Sequence, residues 1–152
     1  MKRAVSALVL SALSSTAVAW EADALRSGMT LAEATKTILS QGESVERKVD
    51  ISGLRNAYFL QLRNGWLGFC LDLLYSYDRF LPGGFEAFVV NAEKEERRRG
   101  APTLRSIAEK FEIIATWHAG EDRFALAVSK EGPNRFVFSR VYEDLAVKKP
   151  CL

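Results

Sequence analysis

The sequence predicts an α+β fold in which helices pack on one or more antiparallel sheets. Three observations carry this. A capping box opens a helical stripe near residue 30. An Asn-Gly pair separates two alternating runs near residue 64. The last third alternates β-rich runs with turn residues. Hydrophobic residues make up 48% of the chain, enough for a core of its own and too many for a disordered segment.

The N-terminus is read first because it decides the compartment. Met1, Lys2 and Arg3 precede a small-and-apolar stretch from Ala4 to Leu13, then Ser14, Ser15 and Thr16, then Ala17-Val18-Ala19. A basic start, a short apolar segment and an A-x-A site in that order read as a cleavable export signal over 1–19. The stretch is too short for a bilayer, which takes about 20 apolar residues, and no later segment is apolar for that long. No Cys follows the cleavage site, which argues against a lipid anchor there. Residues 20–152 are then a single α+β domain beginning at Trp20, expected to be periplasmic or secreted. Lys2 and Arg3 leave 19 of the 21 basic residues in the processed chain, against 19 acids. A chain with no net charge has no global field to draw it to nucleic acid, so no nucleic-acid partner is expected.

Thr30-Leu31-Ala32-Glu33 is the capping box, and Leu31, Ala34, Ile38 and Leu39 share one face before Gly42, giving a helix at about 30–41. Val45, Val49 and Ile51 alternate as a strand. Residues 57–63 and 66 onward form a hairpin around Asn64-Gly65. Setting Arg63 opposite Trp66 puts Leu62 by Leu67, Leu60 by Phe69 and Tyr58 by Leu71 on one face, with Phe59, Gln61, Gly68 and Cys70 on the other. A helix over 66–80 competes, because Gly68, Asp72, Ser76 and Arg79 recur at helical spacing. After Pro82-Gly83-Gly84, Phe85, Phe88, Val89 and Ala92 mark a helix over 85–99. Thr103 then caps a further helix with Leu104, Ile107, Ala108 and Phe111 on its face. Strands follow at about 112–118, 123–129 and 135–142, with turns at 120–122 and 131–134.

The two halves share an order. Thr30-Leu31 and Thr103-Leu104 each open a helix that leads to a strand and a hairpin, so tandem helix–strand–hairpin repeats are expected at about 30–75 and 103–142, joined by the 85–99 helix. The layout is similar to that of the bacterial β-lactamase inhibitor proteins, which also use tandem helix-plus-sheet repeats. The likeness is one of layout, and no residue motif carries it.

Cys70 and Cys151 are the two cysteines, and an even count in an oxidising compartment favours a disulfide between them. That bond would remove Cys70 as a nucleophile. Two Cys and the single His118 match no metal-ligand spacing, and no glycine pattern cradles a nucleotide, so no metal or cofactor is expected. His118 could act as a general base only with a carboxylate or nucleophile in reach. Asp72 and Asp78 could pair as hydrolase carboxylates, but their surroundings read as those of solvated acids. The run from Glu93 to Arg99 reads as a solvated helical face with Glu93–Arg97 and Glu95–Arg99 pairs.

Aromatics concentrate in the middle third, and Trp66, Tyr75 and Tyr77 are the candidate contact surface, since Tyr and Trp are common interface anchors. The expected function is that of an exported, non-enzymatic protein-binding module: an inhibitor, an immunity-type protein or an envelope accessory. The alternatives are a small-ligand carrier and a hydrolase using His118.

Overall fold

The computed structural model describes residues 20–133 and 135–152. The expected signal peptide over 1–19, and Asn134 of the expected 131–134 turn, lie outside the described residues. Among the described residues the fold is α+β: three helices, one eight-stranded antiparallel sheet and a two-stranded ribbon.

The ribbon comes first, as β1 (Glu21–Ala22) and β2 (Leu25–Arg26). Helix α1 (Leu31–Ser40) starts at the predicted capping box, with Thr30 Oγ1 accepting from the Glu33 amide and the Glu33 carboxylate accepting from the Thr30 amide. Four strands then run as a meander: β3 (Val45–Asp50), β4 (Ala57–Leu62), β5 (Gly65–Cys70) and β6 (Leu73–Leu81). Helix α2 (Gly84–Arg99) leads a second meander of β7 (Thr103–Ile107), β8 (Glu112–Ala119), β9 (Asp122–Lys130) and β10 (Phe136–Asp144). The last strands of the two meanders, β6 and β10, pair at the centre, so the sheet order is β3-β4-β5-β6-β10-β9-β8-β7. A four-residue helix, α3 (Leu145–Lys148), and a 3₁₀ turn bring Cys151 to Cys70.

Both long helices lie on one face of the sheet. Ala34 and Ile38 of α1 pack with Tyr58, Leu60, Leu62, Leu67 and Phe69. Phe88 of α2 packs with Ala115, Trp117, Leu126, Val128 and Phe138. Tyr142 touches both clusters and joins them. The Cys70–Cys151 bond has a Cα–Cα distance of 5.9 Å and a sequence separation of 81. Closing a loop of that size restricts the unfolded chain by roughly 4 kcal/mol.

Several expectations change. Residues 66–80 are strands, and the competing helix is absent: β5 and β6 meet at a tight turn where Leu71 and Asp72 both take positive φ. The hairpin register is offset by two residues. Leu62 faces Gly65, Leu60 faces Leu67 and Tyr58 faces Phe69, with Arg63-Asn64 as the two loop residues. An offset of two preserves the faces, so the core-facing set is the predicted one except for Leu71, which is exposed in the turn.

The predicted helix from Thr103 does not form. Thr103–Ile107 is strand β7, followed by a 3₁₀ turn at Ala108–Lys110. Its stripe of Leu104, Ile107, Ala108 and Phe111 had nothing to bury against: Leu104 and Phe111 stay 68% and 66% exposed. Pairing with β8 satisfies the backbone instead. The expected repeats at about 30–75 and 103–142 are not shown; α1 precedes the strands β3 to β6, and α2 precedes β7 to β10.

Candidate functional site

The sheet has a second face, which α1 and α2 do not cover. Among the described residues, the short C-terminal segment and the β3–β4 connection cover one end of it: Val147, Ile51 and Leu54 pack beside Cys70, Tyr75 and Cys151. Register places Phe59, Gln61, Trp66, Asp78, Val141, Ala125, Ala127 and Thr116 on this face. Toward β8 the floor has the small side chains of Ala125, Ala127 and Thr116 with Ile114 among them, and its aromatics are gathered on β4, β5 and β6.

Those aromatics wall a cavity of about 380 Å³ together with Asp78, Arg123, Glu143 and Lys148. Two local features build it. The first is a register shift in which Gly68 faces Ser76 while Phe69 faces Leu74, leaving Tyr75 as the extra residue of a bulge. A bulge re-aims a side chain, and here Tyr75 turns to the open face. The second is Gly68. A Cβ there would lie 2.8 Å from Tyr75 Cζ and 3.0 Å from Phe59 Cε1, so the missing side chain lets the two rings close over the backbone. Phe59 stands 6.1 Å from Trp66 and 6.4 Å from Tyr75, ring centre to ring centre.

The charges in this cavity are unequally satisfied. Glu143 is buried and accepts from both Arg123 Nη1 and Lys148 Nζ at 2.7 Å. The Lys148 ammonium also sits 5.3 Å from the Tyr75 ring centre. Burial, with the Glu143 charge, pushes the Tyr75 phenol up to about 12. Asp78 has less support: Oδ1 is buried with no hydrogen-bond partner among the described residues. Burial raises its pKa to about 6, with the Ser139 hydroxyl working the other way and Glu112 adding to the rise.

Of the three residues the sequence singles out as a contact surface, two meet here. Trp66 and Tyr75 line the cavity, Trp66 half-buried and Tyr75 almost fully buried. Tyr77 is on the opposite face, in the core, where its hydroxyl donates to Asp23 at 3.1 Å and Asp23 also binds Arg79 at 2.6 Å. It ties the N-terminal turn to the sheet. Asp72 and Asp78 are not brought together: Asp72 accepts from the Tyr58 hydroxyl at 2.6 Å beside the β5–β6 turn. Cys70 is held in the disulfide. In the charged run, Glu95–Arg99 forms at 2.6 Å, while Glu93–Arg97 is not among the ion pairs of the described residues. No group of His, Cys, Asp and Glu among those residues is placed to hold a metal ion.

A second cavity, also about 380 Å³, lies on the helix side at the end of β8 and β9. Its rings form a chain: Trp20 to Tyr142 at 5.8 Å, Tyr142 to Phe124 at 5.2 Å and Phe124 to Trp117 at 5.6 Å. Arg99 caps Phe124 at 4.3 Å. Trp20 is 7% exposed, and its indole N–H is buried without an acceptor among the described residues. His118 and Asp122 stand on the rim. His118 is exposed, and no hydrogen bond among the described residues orients its ring. The sequence gives no sign of Trp20 in this role, nor of Asp78, whose burial depends on strands distant in sequence.

No protein-family model, no curated protein and no solved structure matches the chain.

Proposed function

We propose that this chain is an exported, non-enzymatic protein-binding module of the cell envelope, an inhibitor, immunity-type or accessory protein, which docks its partner on the open face of the sheet. One observation carries the reading: the aromatic cavity on that face contains the half-buried Asp78 carboxylate, one of whose oxygens is buried with no hydrogen-bond partner among the described residues. Buried polar groups are nearly always paired, and the exceptions call for a ligand or a role. A partner's Arg or Lys side chain suits the cavity. Its stem would lie against Phe59 and Trp66, and its charge would meet Asp78, while Arg123 and Lys148 are already engaged by Glu143. The export signal and the disulfide support an oxidising compartment. No helix among the described residues is long and apolar enough to cross a membrane.

The test is quantitative capture from an envelope fraction by the wild type, Trp66→Ala, Asp78→Asn and a control, Lys36→Ala on helix α1. Trp66→Ala and Asp78→Asn are expected to weaken capture of a common set of proteins by about tenfold or more. Lys36→Ala should leave that set unchanged, and capture should fall as the pH drops below about 6, where Asp78 takes up a proton. Capture indifferent to both open-face substitutions contradicts the reading.

The Trp20 cavity favours a second reading, that of a small-ligand carrier, because its indole N–H offers a donor beside four aromatic rings. A native mass spectrum of the purified protein decides it: a co-purified small molecule supports a carrier, and the bare polypeptide mass counts against one.

A further inference from the structure

The apolar core on the helix side is divided. One cluster lies under α1 and another under α2, and among the described residues only Tyr142 is packed against both. The division falls where β6 pairs with β10. At that junction two arginines stand directly opposite each other: Arg79, on the face of Tyr77, is the register partner of Arg140, on the face of Phe138 and Tyr142. Like charges set directly across a strand pair repel, so the fold gains nothing from the arrangement itself.

One carboxylate answers the two cations. Asp23 accepts from Arg79 Nη1 at 2.6 Å and from the Tyr77 hydroxyl at 3.1 Å. The Arg140 side chain has no hydrogen bond, ion pair or ring contact among the described residues. Its register partner on β9 is Leu126, and Phe138 and Tyr142 flank it along β10, so the strands supply no countercharge. The acids of the flanking segments are engaged elsewhere: Glu95 of α2 by Arg99 at 2.6 Å, and Glu43, just after α1, by Asn64 at 3.0 Å.

Arg140 is also held in place. The residue is half-buried, and its Nε is buried without an acceptor, while its Nη atoms reach the surface. The Arg79 side chain is 40% exposed, and its register partner on β5 is Gly65, which has no side chain to close over it. A fixed guanidinium fork beside a second one is a receptor for an oxyanion. The number of oxygens selects which. The two Nη atoms of Arg140 take two oxygens, and the donors of Arg79 that Asp23 leaves over take a third. A carboxylate has only two, whereas a phosphate monoester has three that are not esterified.

We propose that Arg79 and Arg140 form a binding site for a phosphate group, carried by a small phosphate ester or by free phosphate. The site is on the opposite face of the sheet from the aromatic cavity, so it does not depend on the proposed function.

NMR of the backbone amides of the disulfide-bonded chain tests it, at an ionic strength held constant with sodium chloride. Phenyl phosphate and inorganic phosphate are the probes, and benzoate is the matched carboxylate. Phenyl phosphate should give saturable shifts at Arg79, Arg140 and their strand neighbours, half-complete at about 1 mM, with benzoate weaker by about tenfold. Whichever phosphate binds more tightly identifies the source of the group. Arg140→Met keeps the stem and loses the fork, and should weaken phenyl phosphate by about tenfold or more, whereas Arg97→Met on the exposed side of α2 should not. Without phosphate, Arg140→Met should resist urea at least as well as the wild type, because it removes the like-charge contact. The absence of saturable shifts, benzoate binding as tightly as phenyl phosphate, or binding that survives Arg140→Met overturns the proposal. An Arg140→Met chain less stable than the wild type overturns it equally, by showing that the arginine serves the fold.

Discussion

The two faces of the sheet are built from the same strands and have opposite characters. On the helix side Leu67, Phe69, Leu74 and Leu126 are fully buried in clusters shared with residues of α1, α2 and neighbouring strands. On the open side Ala125, Ala127 and Thr116 are small, and the aromatic residues gather on β4, β5 and β6, with Trp66 and Tyr75 at the cavity. On the proposed function, the difference separates what a residue does for stability from what it does for recognition. A close-packed face resists any change of volume. An open face can hold an unsatisfied carboxylate and a half-buried tryptophan, because it is not required to make the fold.

That contrast can be broken by substitution. Phe69→Ala on the helix side should cost about 3–5 kcal/mol, read as a lowered denaturation midpoint, since it removes a fully buried ring next to Tyr58. A loss of under about 1 kcal/mol would mean that the covered face is not the close-packed one.

Asp78→Asn on the open side should act in the opposite direction. The folded-state pKa of Asp78 is raised from 3.8 to about 6, so the fold favours the protonated acid. Its contribution is present in full below about pH 4 and is lost as pH rises through about 6. At neutral pH the buried charge destabilises, and Asn should stabilise the protein by about 1–3 kcal/mol, with little difference near pH 4. Urea denaturation at the two pH values reads this directly. A destabilised Asp78→Asn at neutral pH would show that the carboxylate is held by the fold and not reserved for a ligand.

The sequence was legible where the physics is local. The Thr30–Glu33 capping box and the residues on either side of the β4–β5 loop need only near neighbours to be interpreted, and their elements stand where the pattern puts them. The disulfide was legible from compartment and count. Residues 103–111 were misread because Leu104, Ile107, Ala108 and Phe111 satisfy a helical period in a segment whose conformation is set by pairing with β8. The candidate site was half legible. Trp66 and Tyr75 stood out as aromatics. The bulge that turns Tyr75 away from Tyr77, the burial of Asp78 and the seating of Trp20 against Tyr142 all depend on strands brought together across the chain. No local pattern encodes them.

The central claim is that recognition belongs to the face that the helices leave bare. A photo-activated cross-linker placed at Gln61 beside Trp66, and separately at Lys36 on α1, tests it in intact cells that make the protein. The account predicts an adduct with another polypeptide from position 61 and none from position 36. Adducts from position 36 with none from position 61 would contradict it.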